Sequence, residues 1–154
     1  MNILLLHEIG HSATYFLLAI LLVKLLKLKK YPVRDLILGY LVTVGLDGDH
    51  LFDYFMINNW SHFNLKEFLS GYYFETADQI FVLFHAWEWV AFCVLLFLLF
   101  KKKYKVILFI AVGIAAQLIF DTVSHGFDWQ AYFITNRYLH NFDKTIFISR
   151  KLIK

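Results

Sequence analysis

Histidines and carboxylates recur one helical turn apart inside strongly apolar stretches of this sequence. Side chains three or four residues apart share one face of a helix, so each such pair can reach the same point. Imidazole and carboxylate groups together are typical ligands of divalent ions, and here Zn²⁺ is the first expectation, with Mn²⁺ or Fe²⁺ as alternatives. The pattern therefore predicts a metal centre whose ligands are His7, His11, Asp47, Asp49, His50, His85, Asp121 and His125.

These candidate ligands alternate between the beginnings and the ends of successive apolar stretches. They lie at 7–11, 47–53, 85–88 and 121–125, which is early, late, early and late in turn. If consecutive stretches run in opposite directions, all of them reach one level of a bundle. Because an ionisable residue in a membrane helix costs about 2.5–3.5 kcal/mol, their concentration at one level favours a site. One or two ions are expected there, with a carboxylate such as Asp49 as the bridge between two.

Two glutamates are candidates for the base that takes a proton from a water activated by the metal. Glu88 lies three residues after His85, and Glu8 lies directly after His7. Both are therefore within a helical turn of a candidate ligand. We predict Glu88 as the general base and Glu8 as the alternative.

The composition indicates an integral membrane protein. Of the 154 residues, 60% are hydrophobic and 18% charged, and the mean hydropathy is +0.58. Soluble domains are about half apolar and about a quarter charged, so these values exclude a disordered chain and argue against a soluble enzyme. Cys93 is the single cysteine, which excludes an internal disulfide. The net charge of +3 is too small to indicate nucleic acid binding.

Four apolar stretches are long enough to cross a bilayer as helices, which takes about 20 residues. We therefore predict one domain over 1–154, an all-α integral membrane four-helix bundle. Between the second and third stretches, aromatic and polar residues alternate over 56–79, which predicts an interfacial amphipathic segment that anchors the bundle or covers the site. Its aromatic residues are Trp60, Phe63, Phe68, Tyr72, Tyr73 and Phe74. The predicted spans are about 2–26, 35–55, 80–100 and 106–127, followed by a tail over 128–154.

Clusters of lysine and arginine predict the orientation of the bundle. They occupy the turns between the first and second spans and between the third and fourth spans, and such turns favour the cytoplasmic side. We therefore expect both chain ends and the metal site on the non-cytoplasmic side of a prokaryotic cytoplasmic membrane. The tail is also basic, and anionic headgroups on either side would accommodate it.

The run from His7 to His11 reads HEIGH and matches the HExxH signature, in which two histidines bind zinc and the glutamate activates water. Site-2-type intramembrane proteases carry this motif in a membrane helix and take a third ligand from a later L-D-G. That tripeptide occurs here as Leu46-Asp47-Gly48. The resemblance implies an intramembrane metalloprotease that uses His7, Glu8, His11 and Asp47.

A second set of motifs accounts for more of the chain. It consists of Gly10-His11, Asp47-Gly48-Asp49-His50, His85 and Asp121. In this order the motifs resemble those of the YdjM-like membrane-bound metal-dependent hydrolases, also described as LexA-binding inner-membrane-associated hydrolases. The resemblance implies a helical membrane fold and a hydrolytic metal site. This chain departs from the family pattern by having Gln117 in place of a histidine one turn before Asp121, and His125 is the candidate substitute.

These patterns favour one function and leave two alternatives open. The favoured function is membrane-embedded hydrolysis of a lipid or another amphiphilic (phospho)ester by a metal-activated water, with membrane lipids as partners. The first alternative is an intramembrane zinc metalloprotease. The second is a non-catalytic protein that binds or translocates metal ions.

Overall fold

The computed structural model is helical over the part of the chain that it describes. Within that part there is no β-strand, and Gln79 forms an isolated antiparallel bridge with Asp143. The predicted all-α class is therefore confirmed. The described residues are 3–28, 32–58, 63–70, 76–100, 104–126 and 128–147.

Two of the predicted spans correspond to single long helices. The helices are, in chain order, α1 (Ile3–Leu25), α2 (Val33–Gly45), α3 (Asp49–Asn58), α4 (Leu65–Ser70), α5 (Trp87–Leu99), α6 (Val106–His125) and α7 (Ile134–Leu139). α1 matches the first predicted span and α6 matches the fourth. Both contain a stretch long and apolar enough to cross a membrane, Leu6–Leu25 in α1 and the whole of α6.

The second predicted span, 35–55, is divided into two helices. α2 ends at Gly45, and a 3-10 turn covers Leu46–Gly48 before α3 begins. Gly45 and Gly48 flank the break, and glycine has a low helix propensity. The division places Asp47 in the turn instead of on the face of a continuous helix.

The third predicted span, 80–100, is helical only from Trp87 onward. The segment before α5 is irregular, and Val82 in it has a positive φ of 31°. With 13 residues, α5 is about 20 Å long, which is shorter than the hydrocarbon core of about 30 Å. The described residues thus contain two helices of membrane-crossing length, where the sequence predicts four.

α6 is the central helix and packs against α1, α2 and α5. Near its end, Asp121 meets His7 at the start of α1. One turn earlier, Gln117 meets Asp47, which follows the end of α2. The start of α1, the end of α2 and the end of α6 therefore lie at the same end of the bundle, as the alternation of the candidate ligands predicts.

α2 and α6 cross at glycines that leave no room for a side chain. A Cβ on Gly39 would collide with the backbone carbonyl of Phe109, and a Cβ on Gly113 would collide with the carbonyl of Gly39. Small residues at a crossing let two helix backbones approach closely, which is typical of helices packed in membranes.

Gly39→Ala is expected to lower the free energy of unfolding by about 1–3 kcal/mol, because the added methyl group overpacks this crossing. Thermal unfolding in detergent measures the change. Gly45→Ala is the matched control, because a Cβ there would meet nothing within 4 Å. Equal stability of the two variants would contradict the close approach of α2 and α6.

Residues 128–147 fold onto the bundle instead of forming a free tail. Two 3-10 turns, Trp129–Tyr132 and Lys144–Phe147, enclose α7. The last residue of each turn is buried in the same apolar cluster as Leu118 of α6. The rest of the predicted tail, 148–154, lies outside the described residues.

The predicted interfacial segment, 56–79, is described in part. It contains α4, and the rings of Phe63 and Phe68 each lie 5.7 Å from that of Tyr54 in α3. These ring contacts join the segment to α3. Four members of the predicted aromatic row lie outside the described residues, namely Trp60, Tyr72, Tyr73 and Phe74.

The outer faces of the long helices expose large apolar side chains. Leu17 and Leu25 of α1 are each 70% exposed, Leu99 of α5 is 65% exposed and Val123 of α6 is 76% exposed. Extended apolar surface of this kind marks a face that contacts lipid or another protein.

Candidate metal centre

Seven of the eight predicted ligands converge at one end of the bundle, together with Glu8. They form three groups that could hold a metal ion, two of which share Asp47, and within each group the ligand atoms all lie within 4.8 Å of one another. The groups are Asp47 with His50 and His85, His7 with Asp121 and His125, and Glu8 with His11 and Asp47.

The first group joins three elements of the fold. Asp47 comes from the 3-10 turn, His50 from the first turn of α3 and His85 from the irregular segment before α5. Oδ1 of Asp47 lies 3.5 Å from Nε2 of His85 and 3.9 Å from Nε2 of His50. Two imidazoles and one carboxylate match a zinc site that keeps its fourth position open.

The second group lies between the start of α1 and the end of α6. Nε2 of His7 and Nε2 of His11 approach the same oxygen of Asp121, at 3.3 and 2.9 Å. The rings of His7 and His125 are 5.0 Å apart. The two helical pairs, one on each helix, therefore face each other as their spacing predicts.

His11 links the two groups from a fully buried position. Its Nε2 contacts Asp121, and its Nδ1 points toward Oδ2 of Asp47 at 3.8 Å. This Nδ1 has no hydrogen-bond partner among the described residues. An unpaired buried nitrogen costs free energy, so its position beside a carboxylate fits a ligand atom that completes its coordination with a cation.

The charge balance of the site also fits a cation. The carboxylates of Glu8, Asp47 and Asp121 lie in these groups, and the ion pairs of Asp47 and Asp121 within the described residues are with histidines. Clustered carboxylates repel one another unless positive charge compensates them. A divalent ion would supply that charge and would also bind the imidazoles.

Asp49, which the sequence predicts as a bridging ligand, lies behind His85 instead. Its Oδ2 accepts hydrogen bonds from the backbone N–H groups of Phe84 at 2.6 Å and His85 at 3.3 Å, and it lies 3.3 Å from Nδ1 of His85. A carboxylate on the far nitrogen of a histidine orients the ring toward a metal. Asp47 is the carboxylate that belongs to two of the groups.

Asp49→Asn is expected to weaken metal binding by about 10- to 100-fold while the number of bound ions stays the same, because His85 loses its orienting partner but remains in place. Titration of the metal-free protein with Zn²⁺ measures both quantities. Asp78→Asn, a change at an exposed carboxylate, is the control and should bind like wild type. Loss of one bound ion, with the affinity of the remaining protein for Zn²⁺ unchanged, would show that Asp49 is itself a ligand.

The segment that carries His85 is held by two further side chains that are not among the predicted ligands. Oδ1 of Asp53 accepts a hydrogen bond of 2.7 Å from the N–H of Phe81. Arg137 donates from Nη1 to the carbonyls of Phe81 and Val82, each at 2.6 Å, and from Nη2 to that of His85 at 2.9 Å.

Arg137 makes these contacts from a fully buried position in α7. Burial lowers the pKa of its guanidinium to about 10, so the group remains charged near neutral pH. A charged group in such a position needs hydrogen bonds, and the three carbonyls provide them for Nη1 and Nη2, while Nε has no partner among the described residues. No motif marks Arg137 in the sequence, where it belongs to the predicted tail.

Gln117 contacts two members of the first group. Its side-chain amide donates to Oδ1 of Asp47 and lies 3.2 Å from Nε2 of His85. The residue is fully buried, and its Oε1 has no hydrogen-bond partner among the described residues. The sequence signal for a role of Gln117 in the site is its position one turn before Asp121, because that spacing places both side chains on one face of α6.

Glu88, the predicted general base, is turned away from the three groups. Its Oε1 accepts hydrogen bonds from the backbone N–H of Thr135 at 3.1 Å and from the Thr135 hydroxyl at 3.0 Å. The expected pairing with His85 requires a helix through both residues, but α5 begins only at Trp87. Glu8, the predicted alternative, lies in the group with His11 and Asp47.

Comparisons with protein-family models, with curated proteins and with solved structures find no match for this chain. The geometry of the site and the motifs of the sequence are therefore the grounds for its function.

Proposed function

We propose that this protein is a membrane-embedded metal-dependent hydrolase. The observation that carries the proposal is the convergence of histidines and carboxylates from four separate segments around Asp47. A divalent ion bound there, with Zn²⁺ the first candidate, would supply a water of lowered pKa and neutralise charge on a reacting ester oxygen.

Within this proposal each side chain has a distinct task. His50, His85 and Asp47 bind the ion on one side of the site, and Asp49 holds the ring of His85 in place. Glu8 is the proton acceptor, because its carboxylate lies within 4.8 Å of ligand atoms on His11 and Asp47. A general base beside the metal ligands typically contributes about 10²- to 10⁴-fold to the rate.

The length and the surface of the helices support the proposed membrane location. α1 and α6 are long and apolar enough to cross a bilayer, and their outer faces expose leucine and valine. Lys24 and Lys105 lie at the ends of these helices opposite the site, about 25 Å along the axis from His7 and Asp121. Because basic ends prefer the cytoplasm, we propose that the site faces the non-cytoplasmic side of a prokaryotic membrane.

The surroundings of the site favour an amphiphilic substrate. His125 is exposed, so the second group opens to the surface of the bundle. On the nearby turns, Leu6 is 45% exposed, Ile9 53% and Val123 76%. A lipid or another amphiphilic (phospho)ester could place its ester group at the metal and its chains along this apolar surface.

The resemblance to the membrane-bound metal-dependent hydrolases supports the same proposal. The motif residues that carry it, apart from Asp49, are among those that converge, namely His11, Asp47, His50, His85 and Asp121. Gln117, which departs from the family pattern, lies at the same point. We propose that the chain is a divergent relative of that family.

The experiment that tests the proposal compares two glutamate variants of zinc-loaded protein in detergent, with a panel of fluorogenic lipid phosphate and carboxyl esters. Glu8→Gln is expected to lose at least about 100-fold in turnover while keeping its metal. Glu88→Gln is expected to keep its turnover, because Glu88 binds Thr135 instead of the site. Absence of hydrolysis in the wild type, or loss only in Glu88→Gln, would overturn the assignment.

One observation keeps the intramembrane metalloprotease as a second candidate. His7 and His11, the two histidines of HEIGH, both approach one oxygen of Asp121, and Glu8 lies in a ligand group with His11. This arrangement resembles the pairing of imidazoles in an HExxH zinc site. A protease of this kind needs no contribution from His50. Peptide cleavage that survives in His50→Ala and disappears in Glu8→Gln would favour the protease over the hydrolase.

Zn²⁺ uptake into proteoliposomes without hydrolysis of any ester would instead favour an ion-translocating protein.

A further inference from the structure

We infer that the centre holds two ions in unequal sites, an inner ion bound by Asp47, His50 and His85 and an outer ion bound by His7, Asp121 and His125. The inference deepens the proposed function and rests on it for the role of the ions, but the two sites are argued from the geometry alone. The two groups have no residue in common, and each supplies two imidazoles and one carboxylate. Each is therefore a complete set of protein ligands for an ion that keeps one open position.

His11 shows that the two groups are neighbours and not alternatives for one ion. One of its ring nitrogens lies 2.9 Å from the carboxylate of the outer group, Asp121, and the other lies 3.8 Å from that of the inner group, Asp47. The imidazole thus separates the two carboxylates, and a single ion cannot take both carboxylates at bonding distance while His11 stays between them.

The support of His85 and the exposure of His125 make the two sites unequal. The His85 side chain is 1% exposed and its second nitrogen is held by Asp49, whereas the other two inner ligands are 25% and 29% exposed. The outer group includes the exposed His125 and the His7 side chain, which is 25% exposed. Loss of a carboxylate that supports a ligand typically weakens metal binding by about 10- to 100-fold, so we expect the inner ion, which has the supported His85, to bind more tightly.

The test titrates metal-free protein in detergent with Zn²⁺ alone and counts ions by calorimetry and elemental analysis. Wild type is expected to bind two ions, the first about 10- to 100-fold more tightly than the second. His125→Ala should keep one tight ion, and His50→Ala should keep one weak ion. His140→Ala is the matched control, because this exposed histidine contacts the carbonyl of Asn136 and should leave two ions.

One ion in the wild type, or two ions in His125→Ala, overturns the inference. If His125→Ala does not fold, His7→Gln serves in its place and should likewise keep one tight ion. Ester hydrolysis by the same samples separates this inference from the proposed function. Two ions without hydrolysis support the two sites and overturn the hydrolase, whereas hydrolysis with one ion supports the hydrolase and overturns the two sites.

Discussion

Asp47→Asn is expected to abolish hydrolysis and to weaken Zn²⁺ binding by more than about 100-fold, beyond the range typical of partners outside the ligand set. Asp47 belongs to two of the three ligand groups, and its two oxygens face His85 and His50 on one side and His11 on the other. Asparagine has the same shape, but it lacks the charge that a divalent ion requires. Turnover should therefore fall by at least the same factor as the affinity.

The measurement is a Zn²⁺ titration followed by an ester hydrolysis assay on the same preparation. Asp78→Asn removes a carboxylate from an exposed position and should leave both readouts unchanged. The thermal unfolding of metal-free Asp47→Asn should resemble that of metal-free wild type, because the substitution preserves volume. Wild-type affinity in Asp47→Asn would remove Asp47 from the ligand set.

Arg137→Met is expected to lower the free energy of unfolding by about 3–5 kcal/mol, the cost typical of removing one partner from a buried charged network. The substitution leaves the carbonyls of Phe81, Val82 and His85 buried without their donors. It also leaves Asp53 without the positive charge that Arg137 contributes nearby. Because the segment before α5 carries His85, metal affinity should fall as well.

The effect of Arg137→Met is measured by thermal unfolding in detergent and by hydrogen exchange of the backbone N–H groups of Phe84 and His85. Both N–H groups should exchange faster in the variant, because the segment opens more easily. Arg137→Lys keeps the positive charge but lacks the planar guanidinium with its several donors. It should therefore be more stable than Arg137→Met and less stable than wild type. Arg34→Met is the control, since the Arg34 side chain is 84% exposed. Equal stability of the Arg137 and Arg34 variants would contradict the role of Arg137.

The end of the bundle at which the site lies could be predicted from the sequence, because ionisable residues are costly in apolar helices and therefore stand out there. His7, His11, Asp121 and His125 lie on long continuous helices, so their helical spacing correctly indicates which of them face one another. The same reasoning places Asp49 and Asp53 on one face of α3. Both do point the same way, although toward the segment before α5.

The remaining details depend on where helices begin and end, which hydrophobic patterns define poorly. A continuous apolar run from 80 to 100 conceals the start of α5 at Trp87, and the pairing of His85 with Glu88 fails for that reason. The break at Leu46–Gly48 is similarly hidden, and Asp49, predicted as a ligand, contacts the far nitrogen of His85 instead. The tertiary contacts of α7 carry no local sequence signal at all.

The direct test of the metal centre is the X-ray absorption spectrum of the zinc-loaded protein. The geometry predicts nitrogen and oxygen neighbours at about 2.0–2.2 Å from zinc, with the outer scattering of at least two imidazoles. Cys93 belongs to none of the ligand groups, so no sulfur neighbour is expected. A zinc–sulfur distance of about 2.3 Å, or a spectrum without imidazole scattering, would contradict a centre built from these histidines and carboxylates.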